Sequence, residues 1–285
     1  MAWTSAAEPS SAKKESPNWL EMPHELMVNV FQRLPTVEIL NSARKVCTTW
    51  LKICKYPAMW KVINMLQRPV DRWGWDSRLE ALTKEAVDLS RGELIDISID
   101  WFGTYELLDY IVRRSSKLKR LCLLSCLRIR DCALSQAVKR VPQLEELHLS
   151  ETIVNAQEIE VIGQNCPQLK SFKMNKVYSD SVDDQSLAIA NNMPELRHLE
   201  LIENEITNDG LEAILNGCPH LQSLDVRMCH YLDLDGYLGK MCMELIKDFK
   251  HGLTDCGFDV HISDVEDFSE DDMYDDFSER DFFID

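Results

Sequence analysis

Six copies of one apolar pattern recur along the chain at intervals of 24 to 27 residues. They are Leu94-x-x-Ile97-x-Ile99, Leu118-x-x-Leu121-x-Leu123, Leu144-x-x-Leu147-x-Leu149, Leu169-x-x-Phe172-x-Met174, Leu196-x-x-Leu199-x-Leu201 and Leu221-x-x-Leu224-x-Val226. Self-similarity at such a period specifies a stack of like units, none of which can bury its apolar face alone. Side chains of a strand alternate between faces, so each copy is predicted to be a short strand with its apolar residues turned into the stack.

A helix is predicted to return the chain to the next strand. The clearest runs from Ile206 through Leu211, Ile214 and Leu215 to Cys218, with Thr207 or Asn208 as N-cap and Pro219 after it. Comparable stripes are Leu107, Leu108 and Ile111; Leu134, Ala137 and Val138; Ile159 and Ile162; and Leu187 and Ala190. Eight residues after the first leucine, Cys126, Asn204 and Cys229 are placed to meet buried backbone groups of the turn. Phe102, Thr152 and Val177 hold that position elsewhere and imply differently arranged turns.

The same register accounts for much of the thiol content. Of ten cysteines, Cys126 and Cys229 sit at the turn position, and Cys166 and Cys218 occupy matching Cys-Pro-x-x-Leu contexts. Thiols placed by a repeat are packing residues, so neither metal nor cofactor is implied. Residues 1–17 lack the apolar core of a secretory signal and no run of about 20 apolar residues occurs, which points to a reducing compartment, the nucleus or cytoplasm. The net charge of -17 is uneven: Ser263 to Asp285 carries eleven carboxylates and one arginine. Nucleic-acid binding rests on phosphate neutralisation and gains nothing from such a balance. A basic run from Arg113 to Arg120 is the one local exception, read as a solvated convex edge or, alternatively, as a place where the acidic tail or an acidic segment of a target docks.

Ahead of the repeats, residues 18–62 read as three short helices. Leu26, Val30, Phe31 and Leu34 form the first stripe, between Pro23 and Pro35; Ile39, Leu40 and Ala43 the second; Val46, Trp50, Leu51 and Cys54 the third. So small a module buries a limited core and leaves apolar surface for a partner.

Both halves resemble known families. Cys218 through Cys229, and Asn204 through Leu211, are similar to the cysteine-containing leucine-rich repeat, over roughly residues 81–235. Met22-Pro23-His24-Glu25-Leu26, Leu34-Pro35, Val46-Cys47-Thr48-Thr49-Trp50 and Trp60 resemble the F-box, with methionine where leucine is usual. Together they resemble plant-type F-box/leucine-rich-repeat proteins. The implied α/β architecture is a disordered leader (1–17), a three-helix F-box (18–62), a linker and N-terminal capping helix (63–92), about six strand-helix units of solenoid (93–235), a C-terminal capping helix (236–252) and a disordered acidic tail (253–285).

The resemblance implies a non-catalytic substrate receptor of a Skp–cullin–F-box ubiquitin ligase, or alternatively a Skp-binding scaffold with no degradation substrate. By analogy, Leu20, Met22, Pro23, Leu26, Val30, Leu40, Val46 and Trp50 would meet the Skp adaptor, and through it cullin. Which of these belong instead to the module's own core the sequence leaves open. A protein target would lie on the concave face, against Arg120, Glu146, His148, Lys173, His198, Glu200 and Asp225, which flank the inward leucines. No nucleic acid, membrane or cofactor enters this reading. The clustered thiols Cys122, Cys126 and Cys132 lack an accompanying His/Asp set or glycine-rich loop.

Overall fold

The computed structural model describes residues 22–66, 75–130, 132–176 and 182–252. The predicted leader and acidic tail, Leu20 and Val177 lie outside them. Three short helices, α1 (His24–Phe31), α2 (Thr36–Asn41) and α3 (Thr48–Cys54), open the described chain, and a 3-10 turn at Pro57–Trp60 follows. Eight parallel strands then stack in sequence order: β1 (Val62–Met65), β2 (Asp96–Asp100), β3 (Arg120–Leu124), β4 (Glu146–Ser150), β5 (Ser171–Asn175), β6 (His198–Glu200), β7 (Ser223–Asp225) and β8 (Asp248–Lys250). Helices alternate with them: α4 (Trp75–Ser90), α5 (Tyr105–Arg114), α6 (Ala133–Val138), α7 (Ala156–Asn165), α8 (Asp184–Asn192), α9 (Asn208–Gly217) and α10 (Tyr237–Leu245). No described helix is long and apolar enough to cross a membrane.

The six predicted strands are β2 to β7, and their registers align the inward residues in columns, Ile97 with Leu121, Leu147, Phe172, Leu199 and Leu224. The outer two strands are degenerate copies of the same pattern. Trp60-x-x-Ile63-x-Met65 sets Ile63 beside Ile97 and Met65 beside Ile99. Ile246-x-x-Phe249-x-His251 sets Phe249 beside Leu224. The segment 236–252 is therefore a helix that ends at Leu245 and a strand, where one capping helix was predicted.

Trp60 closes the helical module and is at the same time the first inward residue of the solenoid. It is buried, and its indole N–H donates to Cys54 O at 2.8 Å. Around it the two halves interlock: Asn64 N–H of β1 donates to Thr36 Oγ1 at 3.1 Å, Arg78 to Asn41, and Arg44 pairs with Glu85 on α4. The hydrophobic core runs without a break from Met27 to Ile246.

The turns after β2 to β7 each place one residue in the left-handed region: Trp101, Ser125, Glu151, Lys176, Glu203 and Met228. Non-glycine residues pay for this conformation, and hydrogen bonds at the next position hold it. Cys126 Sγ donates to Leu124 O at 3.3 Å, Cys229 Sγ to Leu201 O at 2.9 Å, and Asn204 Nδ2 to Met174 O. Thr152, for which a different turn was predicted, does the same work through Oγ1, at 3.1 Å from Ser150 O. A hydroxyl replaces the thiol there; Phe102 has no donor and fills the space.

The helices pack closely where side chains are absent. A Cβ on Gly163 would lie 2.5 Å from Asn192 O and one on Gly217 2.2 Å from Ala190 O, so α7, α8 and α9 approach only as glycine permits. In α8 the buried apolar residues are Ala188, Ile189 and Ala190, while Leu187 of the predicted stripe is exposed. Thr104, Asn155 and Thr207 cap α5, α7 and α9, each accepting from a backbone N–H of the first turn.

Among the described residues three buried side-chain atoms lack a hydrogen-bond partner: Trp101 Nε1, His148 Nε2 and Ser115 Oγ. Ser115 ends α5 in the column where Val141, Cys166, Met193 and Cys218 stand in other units; its side chain is fully buried and its hydroxyl unpaired. Cys218 Sγ in that column reaches Met193 O at 3.5 Å. Ser115→Ala removes the unsatisfied hydroxyl, so it is expected to stabilise the fold by about 1 kcal/mol, a rise of about 2–4 °C in Tm by calorimetry.

Candidate docking surfaces

In the helical module the structure separates core from surface. α1 buries Met27 and Phe31, and Phe31 meets the Trp50 ring edge-on with centroids 4.9 Å apart, tying α1 to α3. Leu26 and Val30, which the resemblance set against the adaptor and the spacing left unsorted between core and surface, point outward and are 52% and 37% exposed. Val46 precedes α3 and is 61% exposed; Pro23 is exposed too. Leu40 is completely buried, so it belongs to the module's own core and is unavailable to a partner in this fold. Met22 and Trp50 are half-buried against that core. The module thus completes its interior with Met27, Phe31, Ile39, Leu40 and Ile53 and still presents large apolar side chains to solvent. Such side chains contribute about 1.5–3 kcal/mol each when a partner covers them.

The second surface is the concave face of the sheet, where residues alternate with the inward leucines. Asp96, Arg120, Glu146, Ser171, His198 and Ser223 are cross-strand neighbours in one column; Ser98, Cys122, His148, Lys173, Glu200 and Asp225 form the next. All seven residues expected there are on this face, and most of their charges are already matched. Arg120 Nη1 lies 3.0 Å from Asp96 Oδ1 and its Nε 3.3 Å from Glu146; Lys173 Nζ lies 2.7 Å from Glu200. Asp225 is buried and accepts from Arg227 Nη2 at 2.7 Å, so its charge is already matched. A cleft of about 220 Å³ opens between Lys173, His198, Glu200, Ser223 and Lys250.

The basic run is likewise satisfied internally. Arg113 pairs with Asp109, Arg114 with Asp88, Lys117 with Glu93 and Lys119 with Glu145, the last at 2.7 Å. It is a mixed-charge edge, not the positive patch its sequence suggests.

The buried thiols of the solenoid are held neutral. Burial pushes Cys126 and Cys166 up to about 12, and Cys218, Cys229 and Cys242 up to about 11. On the concave face Cys122 Sγ is 3.4 Å from His148 Nδ1, yet burial raises the thiol to about 11 and lowers the imidazole to about 4, with Lys173 adding to the second shift. Neutral partners make no thiolate–imidazolium pair, so the contact is packing and hydrogen bonding. The imidazole carries a consequence for stability. A His whose folded pKa is depressed binds fewer protons than the unfolded chain between pH 4 and 6.5, so the fold loses stability as pH falls through that window. His148→Gln is expected to flatten the pH 4–6.5 limb of a denaturation profile; an unchanged slope would refute the assignment.

Comparison with known proteins identifies the family. A family model described as the F-box domain matches residues 19–62. The chain is 45% identical over 242 residues to the Arabidopsis thaliana "Putative F-box/LRR-repeat protein 23", covering 83% of this chain and 54% of that protein, so it spans about half that relative's length. It is 42% identical over 267 residues to the Arabidopsis "F-box protein SKIP19", covering 94% of this chain and 87% of the relative, and 40% identical to "Putative F-box/LRR-repeat protein 22", covering 87% and 84%. Among solved structures, the leucine-rich repeat-containing protein LegL7 from Legionella pneumophila aligns with a TM-score of 0.43 at 10% identity, over 79% of this chain and 77% of that one.

Proposed function

Because the chain belongs to the plant F-box/leucine-rich-repeat protein family, we propose that it is the target-binding subunit of a Skp–cullin–F-box ubiquitin ligase. The observation that carries this reading is the apolar surface left by the helical module: Leu26, Val30 and Val46 are exposed although the core beneath them is complete. A Skp-type adaptor, itself joined to cullin, covers that surface in the proposed assembly. The concave face holds a protein target, with Arg120, Glu146, His148, Lys173, His198 and Glu200 offering the hydrogen bonds and charge that select it.

The chain then works without chemistry of its own. It raises the effective concentration of target lysines around a ubiquitin thioester formed elsewhere in the complex. Because the module and repeats share Trp60 and one core, the target face is held at a fixed orientation to the adaptor surface, and tethering gains from that rigidity. The reduced thiols fit work in the nucleus or cytoplasm.

The test is target turnover. Proteins retained from plant extract by the adaptor-bound chain are identified by mass spectrometry, and their half-lives measured in cells expressing the chain or its Arg120→Glu, Lys173→Glu form. Under this reading the captured proteins live longer with the altered concave face, although adaptor binding is unchanged. Captured proteins whose half-lives do not respond would reduce the chain to a scaffold and overturn it.

A further inference from the structure

Among the described residues the sheet is closed at one end and open at the other. Before β1, α2 covers the edge and Thr36 takes the Asn64 N–H. β8, at the other end, has a described strand on one side only. It is joined to β7 by Asp248 N–H to Gln222 O at 3.0 Å and by Val226 N–H to Lys250 O at 2.8 Å. In a parallel ladder the N–H and C=O of alternate residues face the same neighbour. Those of Asp248 and Lys250 face β7, so those of Lys247, Phe249 and His251 face the open side.

An edge of this kind is a template for another strand, and like charges set directly opposite each other across the new pair would oppose it. β8 reads Asp248-Phe249-Lys250, with opposite signs on either side of its central residue. Both charged side chains are more than half exposed, and they meet each other only loosely, at 3.6 Å. Placed antiparallel against a second copy about a two-fold axis at Phe249, Asp248 stands opposite Lys250 of that copy, and Lys250 opposite its Asp248. Phe249 and its counterpart then exchange both backbone hydrogen bonds, and Lys247 pairs with the counterpart of His251. The strand is complementary to itself in backbone register, in face and in the charges of Asp248 and Lys250, which is what a two-fold interface requires.

We propose that the chain pairs with a second copy of itself through the outer edge of β8, joining two eight-stranded sheets antiparallel. The pairing leaves the adaptor surface untouched and sets two concave faces side by side in one continuous sheet, so it stands or falls independently of the ligase reading.

The experiment is sedimentation velocity of the full chain over two decades of concentration, with circular dichroism to verify folding. The wild-type chain is expected to show a monomer–dimer equilibrium. Lys250→Asp sets acid against acid at both symmetric positions and is expected to weaken the dimer at least about tenfold. The double variant Asp248→Lys, Lys250→Asp restores opposite signs and should restore the dimer. Mixing Lys250→Asp with Asp248→Lys should yield a heterodimer that neither forms alone. A chain that stays monomeric throughout would overturn the proposal and leave the edge to an extended segment of another protein. A dimer indifferent to Lys250→Asp, or not restored by the swap, would overturn it equally.

Discussion

Trp60→Ala is expected to destabilise the chain by about 3–5 kcal/mol and to loosen the helical module and the first repeats together. The indole is buried at the junction, donates to Cys54 O, and stands in the inward column ahead of Leu94. Its removal leaves a cavity shared by two halves that would otherwise count as separate domains, and an unpaired carbonyl within it. Hydrogen exchange reads this directly: amides of α2, α3, β1 and β2 should lose protection together, while those of β5 and β6 change little. Loss confined to the three helices would show that the halves are independent units and that the shared core carries no load.

Leu26→Asp combined with Val46→Asp is expected to leave stability within about 0.5 kcal/mol, because both side chains already face solvent. Adaptor binding should nevertheless weaken by about 4 kcal/mol, close to a thousandfold. Two large apolar contacts are lost, and two carboxylates would have to shed water against an apolar partner. Leu40→Ala supplies the contrast. That residue is wholly internal, so its truncation should cost about 2–5 kcal/mol of folding stability. Any effect on the adaptor should then follow the folded fraction. Retention of the adaptor by the Leu26, Val46 variant would place the docking surface elsewhere on the chain.

The repeat array was legible because leucine at the first position and a 24- to 27-residue spacing leave one consistent register. The two outer strands escaped for a physical reason. An end unit packs against something other than another repeat, so β1 begins at a tryptophan shaped to the helical module, and β8 reaches His251 where its neighbours have an aliphatic residue. In α1, spacing left core and surface unsorted because the helix is apolar on two sides. Leu26 and Val30 are separated by four residues, as are Met27 and Phe31, and periodicity cannot choose between the pairs. Packing chooses, since Trp50 of α3 lands on Phe31. The concave columns followed from the register, but the matching of Arg120 to both Asp96 and Glu146 is a property of strand pairing that one segment cannot display. The same holds for the basic run, whose acids come from α4, α5 and the turns before β2 and β4.

The central claim is that the exposed apolar face of the helical module is an adaptor-docking surface, and calorimetric titration of the full chain with a purified plant Skp adaptor tests it most directly. The expected result is one adaptor per chain, with a negative heat-capacity change that marks burial of apolar surface and that shrinks in the Leu26→Asp, Val46→Asp variant. An adaptor that gives no heat and no complex with the folded wild-type chain, at any temperature tried, would contradict the account.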